Sequence, residues 1–122
     1  MILVDTSVWV DHFRKQIPAL AETLDRGEVL MHPYVLGELA CGNLKDREQV
    51  LGLLARLPAA LVATDAETLL FIERRVLMGT GIGYIDAHLL ASVTLTDDAQ
   101  LWTRDKRLAV VAAQLGLSSP LS

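Results

Sequence analysis

Asp5, Glu38, Asp86 and Asp105 are carboxylates at the ends of apolar runs or on apolar helical stretches. Asp5 directly follows the apolar run 1–4, and in open parallel sheets ligands sit at the carboxyl ends of strands. An acid in that place can also cap the helix that follows. Asp86 has Leu89, Leu90 and Val93 three, four and seven residues on, which places it on or beside an apolar helical stripe. A buried carboxylate without a partner is costly, so it finds a cation or a proton; an ion pair or a place at the helix edge would also satisfy it. Glu38 has the same setting, with Tyr34 and Val35 before it and Cys41 and Gly42 after. Small residues at Gly37, Ala40 and Gly42 are expected to let another backbone approach it closely. Asp105 follows the apolar run 101–103 and precedes a helix, so alone it reads as an N-cap, but its position repeats that of Asp5.

Carboxylates gathered within a few ångströms repel one another unless a cation neutralises them. An all-oxygen set suits Mg²⁺ or Mn²⁺, whereas Zn²⁺ prefers His and Cys; His12, His32, His88 and Cys41 are scattered without zinc spacing. A hard cation that also binds substrate phosphates makes metal-assisted phosphodiester hydrolysis the natural reaction.

The elements that must position these acids follow from periodicity and breakers. A buried strand at 1–4 leads into a helix over 7–14 with Trp9 and Phe13 on one face. Pro18 opens a second helix that Gly27 stops, 29–31 reads as a strand, and Pro33 starts the helix bearing Glu38. A helix over 47–57 ends before Pro58, 61–63 is a strand candidate, and Asp65 is placed to cap a helix through Leu69, Ile72 and Val76. Gly79, Gly81 and Gly83 break the chain into a turn ahead of a helix over 84–95. A strand at 101–103 precedes a last helix with Leu108, Val111, Ala112 and Leu115 on one face. Short strands alternating with helices imply an α/β layer fold with a mostly parallel sheet.

The 122 residues make one domain, 1–122, without repeats or low-complexity segments, and 52% apolar content excludes disorder of the whole. No apolar stretch is long enough to span a membrane, and no basic signal region precedes Asp5. Cys41 is the one cysteine, so a reduced, cytoplasmic setting is expected. Fifteen acids against eleven bases argue against a general basic coat for nucleic acid. With the four acids on a metal the rest would balance, so a nucleic-acid substrate reached through bound cations is compatible with the acidic total.

Ile2-Leu3-Val4-Asp5-Thr6-Ser7-Val8-Trp9, Gly37-Glu38-Leu39, Tyr84-Ile85-Asp86-Ala87 and Leu101-Trp102-Thr103-Arg104-Asp105 resemble, in order and spacing, the motifs of PIN-domain nucleases. The nearest likeness is to VapC toxins, the ribonuclease half of VapBC-type type II toxin–antitoxin pairs. The resemblance implies a three-layer α/β/α PIN-like fold with a short, mostly parallel central sheet. It also implies Mg²⁺- or Mn²⁺-dependent endoribonuclease activity on RNA, a homodimer, and neutralisation by a cognate VapB-type antitoxin. By position, Asp5, Glu38, Asp86 and Asp105 match the family's catalytic, metal-holding acids, and Thr6 and Thr103 match supporting hydroxyls. Lys106-Arg107-Leu108 stands where many relatives carry a further acid or aromatic, so one firmly held cation is expected.

Around the acids, Thr6 and Ser7 are placed either to orient Asp5 or simply to cap. Arg104, Lys106 and Arg107 are candidates for RNA phosphates, with a solvated helix start as the plainer alternative. Arg14 and Lys15 are weaker candidates, because they can merely finish a helix against its dipole. His88 is expected to be structural, and Trp9 and Trp102 to be core. A receiver domain would need an Asp at the end of a middle strand, and residues 50–61 contain none. The alternatives that stay open are a non-catalytic PIN-like binding module and a structure-directed DNA nuclease.

Overall fold

A computed structural model describes residues 1–122. Three short strands, β1 (Ile2–Val4), β2 (Val29–Leu30) and β3 (Gln100–Trp102), form a wholly parallel sheet in the order β2-β1-β3. Seven helices surround it: α1 (Thr6–Arg14), α2 (Pro18–Asp25), α3 (Pro33–Ala40), α4 (Arg47–Ala55), α5 (Asp65–Arg74), α6 (Tyr84–Leu95) and α7 (Lys106–Gln114). This is the three-layer α/β/α arrangement that the motifs imply.

Parallel strands are covered on both faces, so they are apolar throughout; Leu3, Val4, Leu30, Leu101 and Trp102 are all buried. Helix α6 is buried from Ala87 to Val93 without a break, as expected of a helix hydrophobic all round. Leu89 and Leu90 lose all solvent contact, each worth roughly 2 kcal/mol by area. Trp9 also belongs to the core, while Phe13, one turn on, stays 40% exposed.

The central position of β1 decides where the site lies. Its register with β3 pairs Val4 with Trp102, and the Asp5 N–H continues the ladder by donating to the Trp102 carbonyl at 2.9 Å. The chain leaving β1 and the chain leaving β3 therefore emerge side by side at the carboxyl edge. Both outer edges of the sheet are covered. Met31 bridges Ala59 beyond β2, and Leu101 bridges Ser118 beyond β3.

Several local expectations need correction. Residues 61–63 are not a strand: Leu61 N–H donates to Thr96 Oγ1 and Ala63 N–H to Ser92 Oγ, so side chains of α6 and of the residue that ends it replace ladder partners. Helix α5 is capped by Thr64, not Asp65, through a reciprocal capping box with Glu67. It also ends at Arg74, before Val76. Glu38 is exposed rather than set in an apolar stripe, and a Cβ built on Gly37 would meet nothing, so no backbone approaches there. His32 and His88 are not scattered. Both are buried, and the Tyr34 ring packs edge-on between them at 5.2 and 4.8 Å.

Candidate active site

Asp5 occupies the N-cap position of α1, yet its side chain makes no capping bond. Its Oδ2 instead accepts two hydroxyls, Ser7 Oγ at 2.7 Å and Thr103 Oγ1 at 2.8 Å, and the carboxylate is buried. Capping therefore does not explain Asp5. Thr103 also accepts the Asp105 N–H at 3.1 Å, so one hydroxyl joins the acids that end β1 and β3. Ser7 accepts the Arg104 N–H at 3.0 Å and completes the link between the two strand ends.

The other acids are anchored one bond each. Glu38 Oε1 accepts Thr6 Oγ1 at 2.8 Å, which ties α3 to the first residue of α1. Asp86 Oδ2 accepts the Gly83 N–H at 3.2 Å, closing the first turn of α6. Asp105 does cap, as its lone reading suggests, because Oδ1 accepts the Leu108 N–H at 3.0 Å. A pattern emerges across the four. Each carboxylate is held through one oxygen, and the other, Asp5 Oδ1, Glu38 Oε2, Asp86 Oδ1 or Asp105 Oδ2, receives no hydrogen bond from the protein.

The charges of the other three acids all reach Asp86. Burial is the main cause holding the Asp86 carboxyl above its ordinary pKa, and the negative charges of Asp5, Asp105 and Glu38 push the same way against the Gly83 hydrogen bond. As they lie, no three of these carboxylates stand close enough together to hold one metal ion. What the donor set offers is hard oxygen without a protein hydrogen bond, which fits Mg²⁺ or Mn²⁺ and no soft metal.

The basic rim divides. Arg104 is committed to Asp11 of α1 at 2.9 Å, a partner absent from the sequence reading although Asp11 lies one turn beyond Ser7. Lys106 and Arg107 are exposed and make no ion pair. The Arg107 stem lies over Gly81, where a Cβ would come within 2.9 Å of it, and Gly81 holds φ +89°. The φ favours glycine, whereas the flexible Arg107 side chain could move aside for a Cβ. His88 is structural, as expected: its Nε2 meets Asp65 Oδ1 at 2.9 Å, and Tyr84 donates to the same oxygen.

The PIN domain family pattern matches residues 2–114, a span that holds all four acids. This chain belongs to the PIN-domain family. It is 49% identical over 118 residues to Ribonuclease VapC32 of Mycobacterium tuberculosis strain CDC 1551 / Oshkosh, covering 97% of this chain and 95% of that protein. The likeness to Ribonuclease VapC32 of strain H37Rv has the same extent. Among PIN domains, the chain is thus similar to VapC ribonucleases along nearly its whole length. No helix of this PIN domain is long and apolar enough to cross a membrane.

Proposed function

We propose that this chain is the toxin of a type II toxin–antitoxin system, an endoribonuclease whose Asp5, Glu38, Asp86 and Asp105 hold Mg²⁺ or Mn²⁺. The observation that carries the reading is the free oxygen on each of four carboxylates whose other oxygen is fixed by the protein. A bound divalent cation would supply charge stabilisation at the phosphodiester and a more acidic water for attack on phosphorus. The chain's own residues do the positioning. Ser7 and Thr103 fix the plane of Asp5, Thr6 fixes Glu38, and the N–H groups of Gly83 and Leu108 fix Asp86 and Asp105. Lys106 and Arg107 are free to meet RNA phosphates, and Arg104 serves first to brace α1 against the β3 exit.

The partners in this reading are RNA, a VapB-type antitoxin and a second copy of the chain, in the cytoplasm, with residues 1–122 as one domain. Exposed Leu69, Leu70, Met78 and Ile85 leave apolar surface for such partners. The test is cleavage of total cellular RNA by antitoxin-free protein with Mg²⁺ or Mn²⁺, with EDTA, and with Asp86→Asn. Cutting should require the cation and fall by at least a hundredfold in the variant. A folded, metal-binding protein that cuts no RNA would instead favour a binding module or a DNA nuclease.

A further inference from the structure

One depression on the surface bears none of the four acids. It is a groove of about 510 Å³ between the second half of α1 and the connection from α3 to α4, and Val10, Phe13, Leu39 and Val50 give it an apolar lining. Arg14 and Lys45 also line it, and neither makes an ion pair or a hydrogen bond through its side chain. The helix dipole accounts for a cation at the end of α1 but not for a second one facing it from another element.

Helix geometry connects this groove to the acids. Thr6, Val10, Phe13 and Arg14 fall on one stripe of α1, spaced by four, three and one. Helix α1 packs on α3, which carries Glu38 and ends at Ala40, two residues before Gly42 in the groove. The Thr6–Glu38 hydrogen bond closes the top of this helix pair at the acid site. From there the stripe descends about 12 Å to Arg14, enough for a nucleotide or two. Arg47 donates to the Gly42 carbonyl at 3.1 Å and steadies the opposite wall.

We propose that this groove is a nucleotide subsite that leads single-stranded RNA to the acids, with Phe13 stacking on a base and Arg14 and Lys45 binding phosphates. It rests on the ribonuclease reading above. An aromatic face over an apolar floor accepts any base, and cations beside it track the backbone. In a chain with net charge −4, two free cations in a groove that runs away from the acid site supply the local attraction that the whole molecule lacks.

The probe is a short mixed-sequence single-stranded RNA with a 3′ fluorescein, bound in EDTA and followed by anisotropy over a range of salt. Arg14→Ala with Lys45→Ala should raise Kd about tenfold and flatten the log–log salt slope by about 1.4, two contacts at about 0.7 each. Phe13→Leu should weaken binding about fivefold at unchanged slope, and Phe13→Tyr should restore it. Wild-type affinity in both the cation pair and Phe13→Leu would overturn the subsite, and would be the result if the groove serves a peptide partner. Loss in Phe13→Tyr equal to that in Phe13→Leu would overturn the stacking role. Cleavage in Mg²⁺ separates the two readings. Cutting with unaltered binding in the variants removes the subsite and leaves the nuclease, while groove-dependent binding without cutting removes the nuclease and leaves an RNA site.

Discussion

Asp5 and Asp105 leave neighbouring strands at the same level, yet one spends its bonds on hydroxyls and the other on a helix N-terminus. Capping thus accounts for one oxygen of Asp105 and for neither oxygen of Asp5, although the residue type is the same. The buried histidines make a second point at this scale. His32 Nδ1 accepts the Tyr34 N–H, so its ring proton sits on Nε2 and points to Ser92. Burial, and secondarily the nearby His88, lowers the His32 pKa to about 4 from its ordinary 6.5. The folded state thus prefers the neutral ring. Stability from this group is complete above about 6.5 and is lost as pH falls towards about 4, at up to about 1.4 kcal/mol per pH unit. His32→Asn keeps a capping acceptor and cannot titrate. Its urea midpoint should show a flatter acid limb than the wild type, at a cost of about 2 kcal/mol at neutral pH from lost packing and the lost Ser92 bond. An acid limb identical to the wild type's would refute the assignment.

Helix α5 ends at Arg74, and Val76 just beyond it holds φ 54°. Its N–H reaches the Glu73 carbonyl and that of Leu77 reaches Ile72, which closes the helix in the manner that normally selects glycine. A β-branched residue in the left-handed region is strained by about 1–2 kcal/mol. Val76 is 67% exposed, so little packing offsets the strain. Val76→Gly should gain about 0.5–1 kcal/mol after the added freedom of the unfolded chain, a rise of a few degrees in Tm. A fall in Tm would show that the Val76 side chain contributes packing in solution. This terminus also marks the limit of what the sequence discloses. Helices were legible through Pro18, Pro33 and the glycines before Tyr84, and the bounds of α6 match the expected 84–95. The span 61–63 was not, because its partners are hydroxyls of α6 and of the residue that ends it some thirty positions away, and apolar character alone cannot separate a ladder from such a pinned segment. Among the acids, strand-end placement exposed Asp5 and Asp105, and helical spacing exposed Asp86. The groove was hidden, since it depends on α1 and the α3–α4 connection meeting in space.

Over the whole molecule, charge and stability are coupled at one edge of the sheet. Asp86 has a raised pKa, so ionising it weakens the fold as pH rises through the window between its ordinary and raised values. Asp86→Asn should therefore be more stable than the wild type by a few degrees in EDTA at neutral pH. With Mg²⁺ or Mn²⁺ the order should reverse, because a cation at tenfold its Kd stabilises the wild type by about 1.4 kcal/mol, roughly 5 °C. Equal cation shifts in both proteins would count against the four-acid site. The bond between Thr103 and Asp5 spans 98 positions of the chain. During synthesis, then, β1 can pair early with β2, but its other edge waits for β3, and Asp5 cannot meet Thr103 until nearly the whole chain has been made. A single proteolytic cut anywhere between them would leave the two ends of that bond on separate pieces of chain.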